Sequence, residues 1–477
     1  MKRKMINLIK SGSRVRLLLL LALAGPAAAQ AQSSNDSTLN SLASFEQPGS
    51  GWSAVADLVT TPDKFESFKK SAGSGILVVE GQNKESFLAT KSAFGDSEVE
   101  FDFLVGKGAI ASVLLQGRYR LNLSDSWAQL TSSFNGLGGI GQQNAGDSSG
   151  FSGLAPLMNV AKAPGLWQHV RIRFRAPQFA TGSKTSNAVF EEVMINGCVV
   201  QQNAELQGAS ANARSAKEEG TGPLVFSSSN GVLAIKNLKS KSLAPVATAR
   251  PAGRRFRPAN PIIVTPEGSN YLLRSFLNFE NLKRTHVISV GSPAQVNYSY
   301  DLKQGALFQV WNGPFVDATD MWEQRGEPQL VKPLGSVIPL SVAPALAVLA
   351  DANAVWPDSV AFDNFKNLGY RLDKKRNPSF EYETGGYHVW DKISFSEANR
   401  SLLREFDLTN APANLFLRIA NSKTINSIGK GLYLVVDKGY YIQLDEKLKP
   451  VVRNTSKGME LIVPVAGNKN LSYSLIW

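Results

Sequence analysis

The chain has 477 residues, 43% of them hydrophobic and 19% charged, with a formal net charge of +12. That length holds two or three domains, and the composition builds cores rather than a disordered chain. The charge hints at nucleic acid, but six positive residues (Lys2, Arg3, Lys4, Lys10, Arg14 and Arg16) crowd the first sixteen positions, and without them an ordinary +6 remains, so no nucleic-acid partner is expected.

The basic start is followed by the apolar run Leu17 to Ala24 and by GPAAAQAQ. Basic region, short apolar core and Ala-x-Ala site make a cleavable signal peptide over residues 1–31, cut after Ala29 or Ala31, which predicts export to the periplasm or beyond. The apolar part is too short to span a bilayer, and no other long apolar run follows, so no membrane span is expected. No cysteine follows the apolar core to carry a lipid anchor. Residues 32–44 are rich in Ser, Asn and Asp and read as a disordered lead-in.

Residues 45–243 show short alternating runs: SEVEFDFLV at 97–105, ASVLLQGRYRLNL at 111–123, HVRIRFRA at 169–176 and FEEVMINGCVVQQ at 190–202. Asn196-Gly197 between apolar runs is a hairpin signal, because both turn positions need positive φ. No helical period is sustained, so this part predicts an all-β sandwich or jelly roll. On its strand, Tyr119, Leu121 and Leu123 point one way and Arg118, Arg120, Asn122 and Ser124 the other. A concave face of polar groups and rings suits sugars. Residues 244–269, with five prolines and four arginines, predict an extended linker.

Residues 270–477 return to β pattern, with room for one short helical turn in SFSEANRSLLREF, so the whole reads as two β-sandwich, jelly-roll-like domains joined by a Pro/Arg-rich linker. The densest stretch, residues 290–326, mixes Tyr298, Tyr300, Trp311 and Trp322 with Asp301, Asp317, Asp320, Glu323 and Arg325. Rings stack on pyranoses and carboxylates accept from hydroxyls, which makes Asp317, Asp320, Trp322 and Arg325 candidate substrate contacts. Core packing is the competing reading for the rings, Trp311 above all.

Cys198 is the only cysteine, which excludes an internal disulfide, a c-type haem and a cysteine zinc site. His169, His286 and His388 lie far apart without metal-ligand spacing. No cofactor is expected; a divalent metal held by oxygen ligands stays open.

Four pieces, LLQGRYRLNLSDSW, GLAPLMNVAKAPGLWQHVRIRFRAPQF, VMINGCVVQQN and LVFSSSNGVLAIKNL, together resemble the secreted bacterial 3-keto-disaccharide hydrolase domain, a concanavalin-like jelly roll. The resemblance implies a domain acting on glycosidic bonds of keto-sugars, with Asp125 as the catalytic candidate and Arg118, Arg120, Asn122, Asn159, Ser227 and Ser229 contacting sugar. The chain departs from the family pattern where Arg120 replaces an acid and Ser227 and Ser229 stand near the usual Gln and His. An arginine cannot act as a carboxylate base, but it can grip an acidic sugar. The alternative is therefore a carbohydrate-binding protein that keeps the fold without catalysis. The second domain resembles an accessory β domain found beside exported cytochrome c and sugar-dehydrogenase-like modules, which implies support for glycan handling.

Overall fold

The computed structural model describes residues 37–46, 51–64, 69–142, 152–244, 260–323, 329–397, 400–465 and 470–477. The expected signal peptide, residues 32–36 of the lead-in and most of the linker lie outside them; further along the lead-in, Ser37–Thr38 pairs with Gly222–Ser242 and a single 3-10 turn spans Leu42–Ser44. Strands dominate as expected: the longest α-helix among the described residues is the four-residue Thr319–Trp322. No helix there is long and apolar enough to cross a membrane.

In the first half, one hydrogen-bonded sheet folds over itself into two layers. Its order is Cys198–Leu206, Ala188–Ile195, Gln168–Arg175, Ser97–Val105, Gly222–Ser242, Lys69–Phe94 and Ser53–Val59. The long strands Gly222–Ser242 and Lys69–Phe94 pass from one layer to the other. The first part of Gly222–Ser242 pairs with Ile110–Leu115 and its later part with Ser97–Val105. The bend falls at the shift between Ser228 and Asn230, where a Cβ on Gly81 would meet Asn230 N at 2.9 Å. Only glycine lets the two backbones close at that corner.

Between the layers lies a core of Phe101, Phe174, Phe190, Val113, Tyr119 and Phe226. Phe101 meets Phe226 edge-on at 5.0 Å, and Tyr119 reaches Phe174 at 5.3 Å, tying layer to layer. The Asn196-Gly197 turn forms as read, with φ of 51° and 82°. The run 111–123 is not one strand. Gln116 and Gly117 also take positive φ and split it into the hairpin Ile110–Leu115 and Tyr119–Asn122.

The face carrying His169, Arg171, Arg173 and Arg175 is neutralised by acids on neighbouring strands, with Glu192 on Arg171 and Glu191 on Arg175. His169 Nδ1 donates to the Asp102 carboxylate at 2.8 Å, and that hydrogen bond raises its pKa.

The second half builds a five-stranded sheet around Val296–Asp301 and an eight-stranded sheet running from Phe365–Leu372 to Ile425–Gly429, with smaller sheets beside them. Tyr298, Tyr300, Phe380, Leu402, Tyr440 and Tyr441 share its main core. The stretch 394–406 is mostly strand, divided between Tyr387–Ser396 and Ser401–Thr409, with a turn between them in which Arg400 N donates to Glu397 O; residues 398 and 399 lie outside the described ones.

The halves touch directly. Trp127 Nε1 donates to Trp477 O at 2.6 Å, and Tyr441 Oη donates to Thr60 O and Pro164 O. A Cβ on Gly165 would stand 2.5 Å from that phenol oxygen, so this contact also needs a glycine.

Candidate functional site

The hairpin Ile110–Leu115 and Tyr119–Asn122 sends Tyr119, Leu121 and Leu123 into the core. The opposite face carries Arg120 and Asn122, and register extends it across the sheet. Asn122 pairs with Ser112, Ser112 with Ser227, and Ser227 with Phe87. The adjacent row runs from Arg120 through Leu114 and Val225 to Ala89.

Two segments wall this face. Gly138 to Gly141 runs beside the hairpin, with Asn122 N donating to Gly139 O and Gly141 N to Arg120 O. From the other side, Ser210 Oγ accepts from Arg120 N at 2.9 Å. Between the walls remains a groove of about 470 Å³, lined by Arg120, Asn122, Asp125, Gln142, Ser210 and Asn212 among others. That volume falls in the range of small-ligand sites.

Arg120 is the charged centre of the groove. Its Nη2 donates to Glu85 Oε1 at 3.2 Å and more distantly to Asn212 O at 3.4 Å. Its Nε is buried with no hydrogen-bond partner among the described residues. Leaving a buried donor unsatisfied costs free energy, so an acceptor brought by a ligand would be favoured there. Glu85 Oε1 also accepts from Ser227 Oγ at 2.7 Å, while its side chain stays 37% exposed. Glu85, on the strand Lys69–Phe94, thus sets a carboxylate against Arg120.

The other expected residues divide. Asn122 reaches the groove, although its Nδ2 donates to Phe134 O at 2.7 Å and so holds a wall. Asp125 lines the groove, yet Oδ2 accepts from Gly108 N and Oδ1 from Trp127 N, which makes it a turn-former. Asn159 does not line the groove. Its amide donates to Ser126 O and Gln129 O and shapes the turn behind it. Arg118 is committed to the fold: Nε donates to Lys217 O at 2.6 Å, and Nη2 pairs with Glu219 at 2.9 Å. Ser229 is half-buried on the strand that carries Ser227.

The second-half candidates are not brought to the groove. Asp317 Oδ1 accepts from Thr319 N, which caps the short helix, and Asp320 pairs with Lys332 at 2.7 Å. Trp322 ends that helix, 39% exposed. Arg325 lies outside the described residues. Among the described residues, no group of three or more His, Cys, Asp or Glu could hold a metal.

Sequence reasoning missed Glu85. In ESFLAT the alternation places it on the face opposite Leu88, but nothing local says which strand lies alongside.

Residues 40–241 match the family model of the 3-keto-alpha-glucoside-1,2-lyase-like domain. No curated protein matches the chain significantly. Among solved structures, a candidate glycosyl hydrolase of Parabacteroides distasonis aligns at 20% identity, TM-score 0.29, over 41% of this chain and 79% of its own. The carbohydrate binding module CBM66 of Bacillus subtilis aligns at 9% identity, TM-score 0.21, over 41% and 97%. LamA of Zobellia galactanivorans, a variant solved with laminaritriose and laminaritetraose, aligns at 12% identity, TM-score 0.26, over 44% and 100%.

Proposed function

We propose that the chain acts on glycosidic bonds of keto-sugars in the groove beside Arg120, with Glu85 taking the proton. The match of residues 40–241 to the lyase-like domain supports this class of substrate. In a 3-keto sugar the hydrogen on C2 is acidified by the neighbouring carbonyl. A carboxylate that removes it lets the C1–C2 double bond form as the bond from C1 to the leaving oxygen breaks; that oxygen takes up a proton. Water added across the double bond completes a net hydrolysis. The step needs a base and a donor for the negative charge that builds on the keto oxygen. Glu85 and Arg120, 3.2 Å apart, are such a pair, and this geometry carries the reading.

Glu85→Gln keeps the shape and removes the base. Release of the leaving group from a 3-keto-glucoside is expected to fall about 100-fold or more, with unfolding temperature unchanged. Wild-type turnover in that variant would remove Glu85 from the mechanism. A second reading, saccharide binding without turnover, has its own support: Asp125 spends both oxygens on backbone amides, which leaves Glu85 without a second reactive carboxylate. Calorimetric binding with no product from either protein would select it. Export belongs to the same proposal, and a mature amino terminus at Gln30 or Gln32 in the extracytoplasmic fraction is its check.

A further inference from the structure

Where the two halves meet, a cleft of about 860 Å³ opens, with Trp127, Leu130 and Phe395 among its apolar lining and Arg400 and Ser401 among its polar groups. Two of these polar groups are unsatisfied: Arg400 Nε and Ser401 Oγ are buried atoms with no hydrogen-bond partner among the described residues. The Arg400 guanidinium stands 5.9 Å from the Trp127 ring, and burial pushes its pKa down. More enclosed arginine side chains of the second half differ. Arg404, Arg418 and Arg453 each hold a carboxylate at 2.6 Å.

The cleft also holds Lys107, and none of its acids pairs with Arg400 among the described residues. Asp125 takes two backbone amides, Asp63 accepts from Thr61 Oγ1, and Glu397 faces Lys375 at 3.8 Å. Arg400 is half-buried, and a partly desolvated cation without an ion-pair partner among the described residues gains from a ligand that brings the opposite charge. A ring, a hydroxyl and a cation side by side match a sugar unit that bears a carboxylate.

We propose that this cleft is a second saccharide subsite, in which Arg400 takes the carboxylate of an acidic sugar unit, Trp127 packs against its ring and Ser401 meets a hydroxyl. The proposal rests on the saccharide reading above. Asp125 lines both groove and cleft, with Gln129 on one and Leu130 on the other, so one oligosaccharide can follow the 125–130 segment between them.

Titration calorimetry on the full chain tests this with methyl glucuronide, methyl glucoside and acetate. The glucuronide is expected to bind roughly ten-fold or more tighter than the glucoside. The preference should shrink in high salt, vanish in Arg400→Gln and persist in part in Arg400→Lys. Arg400→Gln should fold, since it removes an uncompensated charge; if it does not, Ser401→Ala, expected to weaken the glucuronide several-fold, and the wild-type salt dependence decide. Equal binding of the two glycosides, or acetate binding as tightly as the glucuronide, overturns the proposal. So does a preference lost in Arg120→Ala but kept in Arg400→Gln, which would assign it to the groove. Failure of the groove reading looks different: no turnover and no effect of Glu85→Gln, with the glucuronide preference still governed by Arg400.

Discussion

Arg120 and Arg404 are two guanidiniums on β-strands whose surroundings give them opposite work. Arg404 is enclosed by the second half's sheets: Nε and Nη2 form a fork on Asp391 at 2.9 and 2.6 Å, Nη1 donates to Tyr473 Oη, and Nη2 also reaches Gly305 O. Tyr300 Oη donates to the same carboxylate at 2.8 Å, while its ring stacks on Phe380 at 3.8 Å. Every nitrogen has a protein partner, and Asp391 is completely buried. Arg120 faces a groove, holds one partly exposed acid and keeps an unmade bond. A saturated network specifies a fold, whereas an unsaturated one beside open volume is available to a ligand.

That contrast is open to test from its most stable end. Arg404→Ala strands a buried carboxylate and is expected to cost about 3–5 kcal/mol, seen as a large drop in the denaturant midpoint. A loss under 1 kcal/mol would mean that the pair is not the anchor described here.

Lys162 is an intermediate case. Half-buried overall, with its ammonium end enclosed, it donates to Trp167 O at 3.4 Å, and burial pushes its pKa down to about 8 despite the Asp102 charge. A lysine whose folded pKa lies below its unfolded one destabilises the fold fully below about pH 8, and the penalty fades as pH rises towards the unfolded value. Lys162→Met should therefore stabilise the protein at pH 7, by on the order of 1–3 kcal/mol, with a gain that shrinks by pH 10. Equal gain at both pH values would show that packing, not charge, is responsible.

Arg120→Ala should move stability least, by less than about 1 kcal/mol, because its pair with Glu85 is partly exposed. Turnover of a 3-keto-glucoside, or its binding in the groove, should nevertheless be lost. A variant that unfolds readily yet binds normally would reverse the roles assigned to the two arginines.

Much of the all-β plan was readable because strand alternation is local. Tyr119, Leu121 and Leu123 declared themselves core by period alone, and Asn196-Gly197 declared a turn by its need for positive φ. The same logic misjudged Gln116-Gly117, because Gln rarely takes positive φ and the run looked continuous. The resemblance, not the alternation, names Asp125 as the catalytic candidate and Asn159 as a sugar contact, and a side chain that bonds a turn has the same letter as one that meets a ligand. Only the fold shows that Asp125 accepts from Gly108 N and that Asn159 donates to Ser126 O.

The sequence by itself determined which residues alternate, where the turns need glycine, and that no histidine or cysteine cluster is built by local spacing. Only the tertiary structure decided that Glu85 meets Arg120 from 35 positions away, and that Arg400 meets Trp127 across the seam between halves. The reason is physical. Period and turn chemistry act over a few residues, whereas register between distant strands and the docking of one half on the other come from burying apolar area, which no short stretch of sequence encodes.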